Sequence, residues 1–171
     1  MMMLIYVLAA LVIIAMIFDI KERRIPNWLI VIGLVFALSF HIYTDGLAGF
    51  LFCLKGFAAG IVLMFLPFAM GGMGAGDVKL LGMIGAIMGS VFAFNVFLWT
   101  ALFGGVVAII LLLFKNRLKE TLNRIYRGAI LARAGVAKIT DINGEEQNRI
   151  YFPYGVVIGL GVLATFFKGW W

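Results

Sequence analysis

Two aspartates, Asp19 and Asp77, are the side chains of this sequence best suited to chemistry. Asp19 closes the first apolar run and precedes the basic segment 20–27, whereas Asp77 ends Gly74-Ala75-Gly76-Asp77 just before another apolar run. A carboxylate at membrane depth costs about 2.5–3.5 kcal/mol, so it is usually retained for a function. Two carboxylates within hydrogen-bond reach cannot both ionise easily and share one proton. Such a pair could act as acid and base on a peptide bond.

This chemistry needs neither a metal nor a covalent intermediate, because one carboxylate activates water while the other donates to the scissile carbonyl oxygen. The chain has one cysteine, Cys53, and one histidine, His41. Those numbers argue against a disulfide framework, a four-cysteine zinc site or a histidine-based metal cluster. We therefore expect no cofactor and no metal.

Each aspartate alone also has a structural explanation. Asp77 could cap the helix that comes after it, and Asp19 could pair with Lys21 or Arg23 at the membrane interface. The residues before Asp77 favour a functional role, because segment 67–77 contains four glycines and a proline and is not expected to be continuous helix. Irregular backbone at membrane depth persists only where protein buries it or water reaches it. The glycines would also let an extended substrate backbone come close.

The composition predicts an all-α, polytopic membrane helix bundle. Of the 171 residues, 64% are hydrophobic and only 13% are charged, and the mean hydropathy is +1.11. A soluble domain of this size exposes far more charge. We expect one integral-membrane domain over residues 1–171, in contact with the lipid bilayer.

Apolar segments long enough to cross a bilayer predict six transmembrane helices. Leu80 to Phe114 has no charged residue for 35 positions, which is roughly 50 Å of helix and too long for one crossing. It should therefore fold as a hairpin that breaks between Gly89 and Asn95. The N-terminus has no basic region and no nearby Ala-x-Ala site, so we expect a retained first span. The predicted spans are about 3–18, 28–43, 47–68, two within 80–114, and 151–167.

The basic residues predict the orientation. With the N-terminus outside, segments 20–27, 69–79 and 115–150 lie inside and hold 12 of the 14 lysines and arginines, all except Lys55 and Lys168. The positive-inside rule therefore places both aspartates at the cytoplasmic face of the cell (inner) membrane. Because the basic residues are confined to segments between spans, the net charge of +6 indicates topology, and we expect no nucleic-acid partner.

Segment 115–150 is the one sizeable polar piece, a cytoplasmic loop within the membrane domain. Apolar residues recur in it at three- and four-residue spacing with basic residues between them. This pattern predicts a basic amphipathic helix on the anionic cytoplasmic leaflet. A solvated connector and a substrate-docking segment are equally compatible with the pattern.

The motifs around the two aspartates resemble those of the type IV prepilin peptidases, membrane aspartic proteases with a Gly-x-Gly-Asp signature. The resemblance rests on Asp19 before Ile25-Pro26-Asn27, and on Gly74-Ala75-Gly76-Asp77 followed by Val78-Lys79-Leu80-Leu81. The resemblance extends loosely to Phe152-Pro153-Tyr154-Gly155, which is similar to the family's Pro-Phe/Tyr-Gly opening of a late helix. It implies cleavage of the short basic leader of type IV pilin-like precursors at the cytoplasmic face. Asp19 and Asp77 would be the catalytic pair, and Gly74, Gly76, Lys79 and Pro26 would support the motif or contact the substrate. Lys79 could instead pair with lipid headgroups, and Pro26 could simply start the second helix.

The chain departs from the long members of that family. Those add a cytoplasmic region with paired Cys-x-x-Cys motifs and also N-methylate the new terminus, whereas this chain has only the eight residues Ile20 to Asn27 at that place. We therefore expect no N-methyltransferase activity. The short form resembles the peptidases of Flp/tight-adherence pilus systems and, less closely, archaeal preflagellin peptidases.

Two other functions fit parts of the pattern. A presenilin-like intramembrane protease shares Gly-x-Gly-Asp but cuts within a transmembrane helix, and Asp19 here precedes a basic loop. A proton-coupled transporter or a pilus-assembly scaffold would be non-enzymatic. Transporters usually hold ionisable residues near the midplane, whereas both aspartates are predicted near one interface.

Overall fold

The computed structural model of the protein describes residues 2–114 and 154–169, and within them it is all-helical. This confirms the all-α part of the predicted fold class. Three helices are long and apolar enough to cross a membrane over Met2–Glu22, Asn27–Ala69 and Ser90–Val107. The count of six spans and the orientation stay predictions, and the amphipathic segment 115–150 lies outside the described residues. The helices are α1 (Met2–Glu22), α2 (Asn27–Ala69), α3 (Ala75–Met88), α4 (Ser90–Phe114) and α5 (Tyr154–Phe167).

The chain divides into two compact units. One comprises Met1–Phe103 with Phe152–Trp171, and the other comprises Gly104–Tyr151. The first unit contains both aspartates. Of the second unit, the structure describes the end of α4. The single domain expected over residues 1–171 stays a prediction.

Helix α2 is a helical hairpin with its turn at Gly46. That glycine has φ 57° and ψ −128°, a conformation that a residue with a side chain rarely adopts. The Cys53 thiol reaches the Ala37 carbonyl oxygen at 3.5 Å, although 16 residues of straight helix would separate them by about 24 Å. The first arm (27–45) and the second arm (47–69) therefore lie side by side, at the positions of the predicted second and third spans.

Helix α3 is the central helix of the first unit. All of its residues from Leu80 to Ile87 are buried. Gly60 in the second arm of α2 lies against the Leu81 backbone, and Gly56 lies against the Gly85 backbone. Small residues at such contacts let two helix backbones approach closely in a membrane protein. The second arm therefore fixes the position of α3, and with it the position of Asp77.

The apolar stretch 80–114 breaks at Gly89, within the predicted interval. Gly89 has φ 93°, which ends α3 at Met88 and lets α4 begin at Ser90. Beyond this residue the chain turns back, because Gly85 lies against the Ala93 side chain. The prediction of a break between Gly89 and Asn95 is confirmed.

Helices α1 and α5 pack against each other. The buried residues of α1 recur every three or four positions and form one face that ends in a carboxylate: Leu4, Leu8, Leu11, Val12, Ala15 and Asp19. Gly159 of α5 lies against the Met16 side chain, and Gly155 lies against Asp19. The packing face of α1 therefore directs Asp19 towards the start of α5.

Candidate active site

Asp19 occupies the last position of the buried face of α1. It is only 6% exposed, because it continues the spacing of the apolar residues that pack this helix. The helix ends three residues later at Glu22. Arg23 then takes φ 53°, and its N–H donates to the Asp19 carbonyl oxygen at 3.0 Å. The chain leaves the helix at this point and forms the loop that leads to α2.

The carboxylate of Asp19 accepts a hydrogen bond from helix α5. The Gly155 N–H donates to Asp19 Oδ2 at 2.7 Å, from a residue in the first turn of α5. Unpaired N–H groups at a helix N-terminus favour a negative charge. Among the described residues, Asp19 makes this backbone contact and no ion pair with Lys21 or Arg23.

Asp77 lies in the first turn of α3. Its Oδ2 accepts a hydrogen bond from the Gly74 N–H at 3.0 Å, and its own N–H donates to the Gly74 carbonyl oxygen at 3.2 Å. Gly74 is the N-cap residue, so Asp77 supports the helix start from inside the first turn and is not the cap itself. The helix geometry thus fixes both the backbone and the carboxylate of Asp77.

The carboxyl group of Asp77 is buried and close to a second acid. It is 7% exposed and lies outside the three candidate spans. Burial raises the pKa of Asp77 to about 6, against the Gly74 hydrogen bond, which lowers it, and the Asp19 charge raises it further. Both burial and the Asp19 charge disfavour the ionised form, because they remove water and add a like charge. Asp77 therefore holds its proton up to about pH 6, where a solvent-exposed aspartate is ionised.

A cavity of about 320 Å³ connects the two aspartates. It brings together five of the six residues that the sequence predicts for the site. The sixth, Pro26, is the N-cap of α2, and its carbonyl oxygen accepts from the Leu29 N–H at 3.2 Å, so it starts that helix. The residues that line the cavity are Asp19, Arg23, Arg24, Ile25, Asn27, Gly74, Ala75, Gly76, Asp77 and Lys79.

Two contacts hold the loop before α2 against the start of α3. Lys79 Nζ donates to Asn27 Oδ1 at 3.0 Å, and Gly76 lies so close to Ile25 that an added methyl group would be 3.2 Å from the Ile25 Cβ. The absence of a side chain at Gly76 therefore lets the loop approach. Lys79 thus contacts protein, whereas the sequence alone also allows it to pair with lipid headgroups.

The sequence did not predict the roles of Arg23, Arg24 and Gly155. In the sequence the two arginines indicate only topology, but in the fold they line the same cavity as the carboxylates. Gly155 contacts Asp19 from 136 residues away, and its only functional group is its backbone N–H. A glycine at the start of a late helix is visible in the sequence, but nothing local links it to Asp19.

The arrangement consists of two buried carboxylates, bound by backbone N–H groups at two helix starts, in one cavity with a basic border. Burial and the Asp19 charge both favour the protonated form of Asp77. Within residues 2–114 and 154–169, no three His, Cys, Asp or Glu side chains are grouped so that they could hold a metal ion. The chemistry that these residues offer is proton transfer.

Comparisons with known proteins identify the family. The chain matches no curated protein and no solved structure. Residues 6–109, which include both aspartates and every other residue that lines the cavity, match the family model of the type IV leader peptidases. The match covers more than half of the 171 residues. This chain therefore belongs to the type IV leader peptidase family.

Proposed function

We propose that the protein is an aspartic endopeptidase that removes the short basic leader of type IV prepilin-like precursors at the cytoplasmic face of the membrane. Family membership supports a leader peptidase in general. The observation that supports the aspartic mechanism is that Asp19 and Asp77, distant in sequence, line the same cavity. No N-methylation accompanies the cleavage.

The proposed reaction begins with one proton on the pair. Asp19, ionised, takes a proton from a water molecule, whose oxygen bonds to the scissile carbonyl carbon. Asp77 gives its proton to the carbonyl oxygen as the C–O double bond becomes single. The tetrahedral intermediate then collapses: the C–N bond breaks, the amine leaves with the proton held by Asp19, and the hydroxyl proton returns to Asp77. The pair ends with one proton, ready for another cycle.

The border of the cavity supports a peptide substrate. Gly74 and Gly76 line the cavity beside Asp77, and backbone without side chains lets an extended peptide come close. Asp19 lies three residues before the end of a candidate membrane span. A bond cut there would lie next to the apolar helix of a precursor, at the edge of the bilayer.

Amide substitutions test the proposal. Asp19→Asn and Asp77→Asn keep the size of the side chain and its ability to accept a hydrogen bond, but they remove the carboxyl proton. We expect each to lower cleavage of a membrane-reconstituted precursor by roughly 10²- to 10⁴-fold, the usual contribution of an acid or base. Asp45→Asn is the matched control, since Asp45 is exposed at the turn of α2, and this variant should cleave normally.

The position of the cut separates this proposal from its alternatives. Mass spectrometry of the products should place the new terminus at the junction of the basic leader and the apolar helix. Cleavage within the apolar helix would instead support a presenilin-like protease. Full cleavage by both single variants would remove the aspartates from the mechanism. In that case, Asp77-dependent proton flux in liposomes would support a transporter.

A further inference from the structure

Gly155 contacts Asp19 from outside the residues that match the family model. The match ends at residue 109, whereas Gly155 lies in the first turn of α5. It is buried, and its N–H donates to Asp19 Oδ2 at 2.7 Å. The Val156 backbone adds a second interaction with the same carboxyl group. A residue outside the matched region thus binds one of the two reacting carboxylates directly.

The space around Gly155 admits no side chain. A methyl group there would lie 2.8 Å from Asp19 Oδ2 and 3.1 Å from Asp19 Cγ. The first distance is shorter than real methyl contacts allow, so the carboxylate would have to move. The Asp19 Cβ would also lie 3.1 Å from the added methyl group, and rotation of the side chain does not move that atom, so the conflict involves the whole Asp19 side chain.

We propose that Gly155 is the positioning residue for Asp19. Its N–H fixes one carboxylate oxygen and favours the ionised form, and its missing side chain leaves the carboxylate the room it needs. The inference rests on the proposed function. It also divides the roles of the pair: the carboxylate bound by the start of α5 is the base, and Asp77 carries the proton.

The electrostatics of the contact agree with this division. A hydrogen bond from a backbone N–H stabilises a carboxylate and not a neutral carboxyl group, and the start of a helix adds its partial positive charge. Asp19 receives this stabilisation from another helix, and Asp77 receives the same kind of hydrogen bond from Gly74. Burial of Asp77 and the nearby Asp19 charge, and not a difference in hydrogen bonding, therefore keep the proton on Asp77. Loss of the α5 contact would tilt the Asp19 carboxylate away from the water.

Gly155→Ala tests the inference, with Gly161→Ala as its matched control. Both are glycine-to-alanine changes at buried positions of α5. A methyl group at Gly161 would meet Thr100 Oγ1 at 2.7 Å, so this control perturbs packing but not Asp19. We expect Gly155→Ala to lower kcat by about 10²-fold, as for a 1 Å misplacement. The loss should therefore appear in kcat and not in KM, measured well below the melting temperature of the variant.

Gly161→Ala should lower the melting temperature and leave kcat, measured well below that temperature, close to the wild-type value. If Gly155→Ala reduces kcat no more than Gly161→Ala does, Gly155 does not position Asp19. Should Gly155→Ala lose all measurable activity, a thermal double-mutant cycle replaces the kinetic comparison. Gly155→Ala should lower the melting temperature less in an Asp19→Ala background, because that background lacks the displaced carboxylate. Equal losses of melting temperature in both backgrounds would overturn the inference.

The outcomes also distinguish the inference from the proposed function. An Asp19→Asn enzyme that still cleaves precursor would refute the aspartic mechanism whatever Gly155 does. An inactive Asp19→Asn enzyme, together with a Gly155→Ala enzyme of normal kcat, would leave the mechanism standing and refute only the role of Gly155.

Discussion

The carboxyl group of Asp77 destabilises the fold whenever it is ionised. Burial raises its pKa from 3.8 to about 6, so the folded protein holds a proton that the unfolded chain releases between these values. Stability therefore falls as the pH rises through that window, and the loss is complete above about pH 6. A difference of this size corresponds to at most ~3 kcal/mol.

Asp77→Asn should remove this pH-dependent loss, because the amide keeps an acceptor for the Gly74 N–H and does not ionise. We expect its melting temperature in detergent to match that of the wild type near pH 4 and to exceed it by roughly 5 °C or more at pH 8. Asp45→Asn, at an exposed turn, should show no such pH-dependent gain. If both variants gained the same melting temperature at pH 8, ionisation of Asp77 would cost the fold little stability.

Glycine contacts between α2 and α3 set the position of α3, and with it the position of Asp77. The second arm of α2 contacts α3 backbone to backbone at Gly56 and Gly60, and no side chain lies between them. Any side chain inserted there has to separate the two backbones, since a backbone cannot rotate away as a side chain can. The Asp77 carboxylate would then move with α3.

Gly60→Leu should therefore affect both stability and catalysis. Overpacking of this kind costs about 1–3 kcal/mol, so we expect a lower melting temperature and slower cleavage measured well below it. The matched control is Val62→Leu on the same arm, since Val62 is 71% exposed and an added methylene there meets no protein. A Gly60→Leu protein as stable and active as Val62→Leu would contradict the close approach of the two helices.

The elements could be predicted where the sequence itself limits their length. The break at Gly89 follows from a 35-residue apolar stretch and a glycine, and the arms of α2 follow from two apolar runs on either side of Asp45 and Gly46. That the two motifs would lie close together was predictable, since the distribution of basic residues puts both on one face of the membrane. The contact between Gly155 and Asp19 was not, because a glycine N–H has no side-chain signature and its partner is 136 residues away.

On the scale of the whole molecule, the lengths of the apolar segments predict the spans, and the distribution of basic residues predicts their orientation. Length and composition identify three candidate spans within the described residues, but only the distribution of lysine and arginine says which end faces the cytoplasm. Twelve of the 14 basic residues fall in segments 20–27, 69–79 and 115–150. The turn at Gly46 joins two apolar arms, so Asp45 should lie on the opposite face from Arg24.

Cysteine labelling can test this orientation, because the chain has one cysteine and Cys53 is only 1% exposed. In a Cys53→Ala background, Asp45→Cys should react with a membrane-impermeant maleimide on intact cells. Arg24→Cys should react only after the membrane is permeabilised, since the positive-inside rule puts its segment in the cytoplasm. Wild-type protein, with Cys53 buried, should label in neither condition. The reverse labelling pattern would put both aspartates on the outer face of the membrane. A precursor whose basic leader stays in the cytoplasm could not be cut there, so this result would refute the proposed function together with the topology.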